Sequence, residues 1–312
     1  MNYFNAKEVG EMWGISAQQV RIYCREGRIP GAIQKDNSWL IPENAKKPEK
    51  RNPADAVPKT LTPLGSKLAK QKKKKSYHGL YDYVVINSTY SSSRMASNRL
   101  TRDQIEMIFR KGKVFVAFEP MKVSDVIEAL NHCVCVDYIL DHFADPLTVQ
   151  LIKKLHYMLM FGTVDDRKGR VKPGEYRTEK SNRRESFAMK AEKLYASLYA
   201  LIKEYEKKEE YALRDILDFH VRFEVIFPFE DGNGRIGRLI MLKECLRHNV
   251  TPFILDDKRR GRYLEGLQFW KRNKRVLTEV VEESQQRFLA QVALQSVMER
   301  GPQIKAFEEK QE

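Results

Sequence analysis

Between Leu213 and Ile240 the apolar residues keep a helical period that is broken once. Ile216, Phe219, Phe223 and Ile226 recur at three- and four-residue steps, Pro228 stops the helix, and a new one opens with Arg235 and Arg238 three residues apart. The intervening turn, in IFPFEDGNGRIGRLI (226–240), is rich in glycine. Such a chain must fold back between two helices, and the junction has the makings of an anion cradle. Gly232 and Gly234 allow backbone conformations and close approaches that other residues resist, so the amides of a helix N-terminus can point at a phosphate. Asn233 adds a side-chain donor, and Arg235 and Arg238, on one side of the helix, can clamp two phosphates by forked, charge-assisted bonds. Asp231 suits Mg²⁺ shared with phosphate oxygens, and Phe229 is the apolar anchor. On the residues alone this is a phosphate-binding loop, a form that also occurs as a plain helix connection.

The rest of the chain after residue 76 reads as helix packed on helix. Thr101 with Gln104 has the form of a capping box for a helix through Phe109. Ser124 begins another, with Val126, Ile127, Leu130 and Val134 on one stripe. Asp145 before Pro146 marks a helix start, after which Leu147, Leu151, Leu155 and Leu159 define a buried face. His156 beside that stripe reads as a satisfied core histidine, and His220, two turns before Phe227, as structural. Ser186 to Tyr205 is a further helix, with Met189, Leu194, Leu198 and Ile202. Cys24, Cys133, Cys135 and Cys245 lack paired CxxC spacing and read as buried free thiols. No run approaches the roughly 18 apolar residues of a membrane span, and the first residues carry no hydrophobic signal region, so the expected location is the cytoplasm.

At 312 residues the chain exceeds one ordinary domain, and its charge is uneven. Residues 1–75 carry 16 Lys or Arg against 7 Asp or Glu, and the remainder 40 against 35. That asymmetry suits an arm or small domain held near a polyanion. Three parts are expected: a small domain at 1–45, a basic Pro- and Lys-rich linker at 46–75, and a helical domain at 76–312. In the first, Ala6 to Trp13 is a short amphipathic helix, Gly14 a tight turn, and Ser16 with Gln19 the start of a second helix ending near Gly27. A hairpin follows, with Ile33, Trp39 and Ile41 about the turn-forming Lys35 to Asn37.

The first 45 residues resemble the excisionase and MerR-like winged helix-turn-helix family, which implies binding of double-stranded DNA. The groove-facing residues would be Gln18, Gln19, Arg21 and Arg25, with Lys35 on the wing; a solvated face on a protein-docking module is the competing view.

The string at 227–238 is similar to the Fic family signature HPFx(D/E)GNGRxxR, and all eleven positions from Pro228 to Arg238 fit it. Wider similarity runs from about Tyr90 to Phe288, including the LTRDQI, GEYRT and RYLEGL segments. The resemblance implies a mainly α fold: a helical bundle with a small β-hairpin flap, preceded here by the small winged helix-turn-helix domain. It also implies transfer of AMP from ATP, with Mg²⁺, to a Ser, Thr or Tyr hydroxyl of a target protein. Gly232, Asn233, Gly234, Arg235 and Arg238 would hold the phosphates and Asp231 the metal; assembly into a homo-oligomer is compatible with it.

Two departures matter. Where the family places its histidine base this chain has Phe227, whose side chain has no lone pair to take a proton. The expectation is an impaired transferase, or a catalytically silent nucleotide-binding regulator. Upstream, the family's inhibitory segment (S/T)xxxE(G/N) aligns with 91–98, placing Ser92 first, Ala96 at the glutamate and Ser97 after it. The brake carboxylate is missing, so Arg238 should be open to ATP. A polar helix start is the plain alternative there. The segment 170–182 looks like the family's flap, with Tyr176 and Arg177 of interest, while Tyr263 and Leu264 match positions bordering the base.

Overall fold

Asn5 shows how the first helix is started. Its Oδ1 accepts from the amides of Lys7 and Glu8 at 2.9 and 3.1 Å, while the Glu8 carboxylate accepts from the Asn5 amide at 2.7 Å, a reciprocal cap that satisfies donors a helix start leaves open. The computed structural model describes residues 3–25, 28–35, 38–48, 62–74, 78–114, 121–178 and 193–308. Helix α1 (Ala6–Trp13) ends at Gly14 in the left-handed conformation, φ 63°, and Ser16 Oγ caps α2 (Ala17–Arg25) through the Gln19 amide at 3.1 Å. Strands β2 (Ile33–Lys35) and β3 (Ser38–Pro42) form the expected hairpin, pairing Gln34 with Trp39. A third strand, β1 (Tyr3–Asn5), adds to the other side of β3, pairing Phe4 with Ile41. Three residues are too few to display an alternating pattern, so β1 was not legible. Val9, Val20, Tyr23, Ile29 and Ile41 give this unit its own small core. Gln18 and Arg21 are exposed and Gln19 half-buried. The side chains of Arg25 and Lys35 lie outside those described.

The segment expected to be linker needs correcting. Residues 49–61 lie outside the described ones, but Pro63–Lys73 form a helix, α3. Thr62 caps it, accepting from the Gly65 amide at 3.4 Å and donating to the Leu246 carbonyl at 2.6 Å. Leu68 is fully buried in the main core, and Lys72 reaches the Asp137 carbonyl and Asp141 at 2.7 Å each. The density of lysines hid a Leu64–Leu68 step behind a Thr-Pro start.

Among the described residues the remainder is helical: α4 (Leu80–Met95), α5 (Arg102–Lys111), α6 (Val123–His142), α7 (Val149–Met160), α8 (Val164–Arg167), α9 (Leu194–Tyr205), α10 (Leu213–Ile226), α11 (Asn233–Arg247), a short 3₁₀ turn at Asp257–Arg259, α12 (Arg260–Phe269) and α13 (Arg275–Glu308). The chain is thus mainly α, as expected. The Thr101–Gln104 capping box closes at 3.2 and 2.9 Å. Two details differ from expectation. Helix α7 is capped by Thr148, whose Oγ1 accepts from the Leu151 amide at 3.1 Å, while Asp145 bonds His142 instead. Helix α6 buries Ala129, Cys133, Val136 and Leu140, leaving Leu130 and Val134 both 47% exposed. It is apolar on most sides, so periodicity could not choose its inner face. Residues 186–192, including Met189, lie outside the described ones.

Helix α11 is the hub, packed against α10, α6, α4, α7 and α3. Ile236, Leu239, Ile240 and Leu246 are at most 1% exposed, and each such side chain is worth about 2–5 kcal/mol against alanine. The four cysteines are free and buried. Among the described residues no helix is long and apolar enough to cross a membrane.

Candidate functional site

The loop between α10 and α11 is held from three sides. Phe227 sits at the end of α10 in the left-handed region, φ 49° and ψ 63°, a conformation that costs a bulky residue on the order of 1–3 kcal/mol and persists only when neighbours enforce it. Arg177, 7% exposed, does so: its Nε donates to the Phe227 carbonyl at 2.8 Å and its amide to the Pro228 carbonyl at 2.9 Å. Thr178 donates its amide to Glu230 at 3.0 Å. Phe229 is fully buried and stacks on His156 with ring centres 3.8 Å apart. Asn233 completes the closure, accepting from the Phe229 amide at 3.0 Å and donating to the Phe229 carbonyl at 2.7 Å. Its side chain is therefore engaged with the loop, which leaves its backbone N–H for an anion.

His156 is the structural residue expected. The Gly174 amide donates to Nδ1 at 2.9 Å, so the ring proton is on Nε2, which donates to the Asp231 carbonyl at 3.2 Å. Burial brings its pKa down to about 4 and keeps it neutral. The flap segment contributes through Gly174 and Arg177, while Tyr176 packs near Phe229 at 6.1 Å. Residues 170–178 form turns rather than a strand, and 179–182 lie outside the described ones.

Gly232 opens α11 at φ 81°, and no side chain caps the helix. The first-turn amides of a helix carry partial positive charge. A Cβ at Gly232 would stand 3.3 Å from Leu159 and Met160 atoms in a conformation L side chains rarely adopt. At Gly234 it would stand 3.1 Å from Arg238 Nη1.

The two signature arginines have different surroundings. Arg235, 3% exposed, donates Nη1 to Glu128 of α6 and Nη2 to Asp231 at 3.3 Å. Two carboxylates thus face one guanidinium, and burial holds Glu128 above the usual carboxylate range despite that partner. Arg238 instead donates Nε to the Ser92 hydroxyl at 3.0 Å and Nη2 to the Ser92 carbonyl at 3.1 Å.

A cleft of about 210 Å³ opens beside this helix start, lined by the Phe227 and Asp231–Arg235 loop, Arg238, and, from other elements, Met95, Ala96, Glu224, Arg260, Tyr263 and Leu264. Tyr263 is buried, with its hydroxyl 2.5 Å from His220 Nε2. Burial, with Arg238 nearby, brings the His220 pKa to about 3. His220 is thus structural, as read. The segment 91–98 is the C-terminal end of α4, not a helix start, with Ser97 at φ 68°. Of the residues singled out from sequence, Phe227, Asp231, Gly232, Asn233, Gly234, Arg235, Arg238, Ala96, Tyr263 and Leu264 meet at one cleft. Sequence reasoning missed Glu128, Glu224 and Arg260, which carry no local motif.

Residues 146–245 match the Fic/DOC family, a span that contains the whole loop. Among solved structures the chain is similar to a Fic domain-containing signaling protein from Bacteroides thetaiotaomicron, at 20% identity and TM-score 0.58 over 76% of this chain and 90% of that one. It is similar to a Fic family protein from Desulfovibrio desulfuricans, at 23% identity and TM-score 0.52 over 76% of that chain and 77% of this one. A fragment of Fic-1 from C. elegans aligns at 17% identity and TM-score 0.57, over 73% of this chain and 70% of that one. At these identities the likeness is one of fold. No curated protein matches the chain.

Proposed function

We propose, from the Fic/DOC domain at residues 146–245, that the cleft binds ATP and that its architecture serves transfer of AMP to a hydroxyl of a target protein. The observation that carries this is the uncapped start of α11 at Gly232, opening into the same cleft as Arg238. Backbone donors, a positive helix end and a guanidinium converge there, a combination suited to phosphate. Tyr263, Leu264 and Met95 supply an apolar wall for a base. Asp231, 37% exposed and paired with Arg235 at 3.3 Å, would share Mg²⁺ with ligand phosphates. Among the described residues no group of three or more His, Cys, Asp or Glu could hold a metal. When bound, Mg²⁺ would offset phosphate charge.

Transfer requires the target oxygen to attack the α-phosphorus as pyrophosphate leaves, and the hydroxyl proton must go elsewhere. The chain orients the phosphates through α11 and Arg238 and fixes residue 227 through Arg177. Residue 227 is a phenylalanine, so water or a substrate oxygen takes the proton, and the rate falls by about 10² to 10⁴. The same side chain favours a second reading, a silent regulator in which ATP occupancy biases partner binding. Incubation with labelled ATP, Mg²⁺ and lysate separates them. Labelling that is strong only with Phe227→His supports a transferase scaffold lacking its base; labelling by neither protein, with ATP still bound, supports the regulator.

For residues 1–45 the proposed partner is duplex DNA, supported by the order α1, Gly14 turn, α2 and β2–β3 hairpin, which fits a winged helix-turn-helix, and by exposed Gln18 and Arg21. Arg21→Ala should weaken binding and flatten its salt dependence; no binding at low salt by the unaltered chain removes the proposal.

A further inference from the structure

We infer that Arg260 is the second phosphate-binding guanidinium of the cleft, contacting the outer phosphates of a nucleoside di- or triphosphate. This rests on the cleft being a nucleotide site. The charged side chains lining it are Glu224, Asp231, Arg235, Arg238 and Arg260. Arg235 is set against both Glu128 and Asp231, so its fork and charge are largely engaged inside the protein. A polyphosphate laid along the helix start therefore meets Arg238 from α11, which also donates Nε and Nη2 to Ser92 and so is not wholly open as the sequence suggested. A second guanidinium beyond it would add a charge-assisted contact to that of Mg²⁺.

Arg260 is that cation by position. It is exposed, its backbone N–H donates to the Asp257 carbonyl, and its side chain makes no ion pair or hydrogen bond among the described residues. Its neighbours are turned to other tasks: Arg259 pairs with Asp256 and Glu283 at 3.1 Å, and Arg262 with Glu283 at 3.1 Å and Glu279 at 3.4 Å. An ion pair of 3.6 Å between Arg94 and Asp257 ties the 3₁₀ turn to the end of α4, where Met95 and Ala96 bring no charge to the cleft. Helix stability does not account for Arg260, because it is the first residue of α12, and a cation there opposes the helix dipole. A guanidinium held unpaired at a helix start and lining an anion cleft suits a ligand anion.

The test is calorimetric titration of the full chain with ATP, ADP and AMP, in Mg²⁺ and fixed salt, for the unaltered protein, Arg260→Ala and Arg260→Lys. Arg260→Ala should weaken ATP about tenfold and AMP less than about twofold on the same scale. Arg260→Lys should recover part of the ATP loss, and ligand-free melting temperatures should agree. ATP bound equally by the unaltered chain and Arg260→Ala, or equal losses for AMP and ATP, overturns the assignment while leaving the nucleotide site intact. Failure of the unaltered chain to bind ATP at millimolar concentration overturns both.

Discussion

Replacing Asn233 with alanine separates a loop-closing role from a ligand-binding one. The Asn233 amide makes two bonds to the Phe229 backbone, at 3.0 and 2.7 Å. Asn233 is 2% exposed and Phe229 fully buried, so water cannot substitute for the lost partner. Asn233→Ala leaves one donor and one acceptor unsatisfied, at about 1–3 kcal/mol each, and so about 2–6 kcal/mol together. Against the roughly 5–15 kcal/mol that holds a typical domain folded, that is a large loss. The assay is urea unfolding of ligand-free protein followed by tryptophan fluorescence. A midpoint for Asn233→Ala within about 0.5 kcal/mol of the unaltered chain, with ATP binding lost, would refute this reasoning and assign the amide to the ligand.

Other outcomes follow from the same geometry. Arg235→Ala strands the half-buried Glu128 carboxylate, 18% exposed, and should cost about 1–3 kcal/mol in urea unfolding; a loss under about 0.5 kcal/mol would show that the pair is not structural. Leu68→Ala should cost about 2–5 kcal/mol because α3 belongs to the helical core, and a neutral result would return the segment to linker. His132, His156 and His220 are buried with pKa values of about 3, 4 and 3 against 6.5. The unfolded chain takes up these protons below about pH 6.5 and the folded chain does not until near pH 4. Their contribution is therefore flat above pH 7 and falls on acidification, by roughly 1.4 kcal/mol per pH unit for each histidine. Equal urea midpoints at pH 7.5 and 5 would contradict their burial.

What the sequence disclosed was local. The left-handed stop at Gly14, the capping box at Thr101 and the Gly-rich restart at Asn233 are each encoded within a few residues, and each is present. The satisfied core role of His156 was also legible from its helical stripe. What stayed hidden depends on partners distant in the chain. The sequence offers Arg235 as a phosphate clamp, and nothing within one turn reveals its further partner Glu128, which lies 107 residues away. Asn233 looked like a free donor because its partner is a backbone group fixed only once the loop closes. Helix α3 was masked by its lysines, and Arg260 lies in a run of basic residues whose differing directions only the fold sets.

The decisive measurement is diffraction from crystals soaked with ATP and Mg²⁺. Phosphate density should lie against the amides of Gly232 to Gly234 and the Arg238 guanidinium, with the base beside Tyr263 and Leu264. A cleft without nucleotide at millimolar ATP, or nucleotide bound elsewhere on the chain, would contradict the claim that this loop is a nucleotide site.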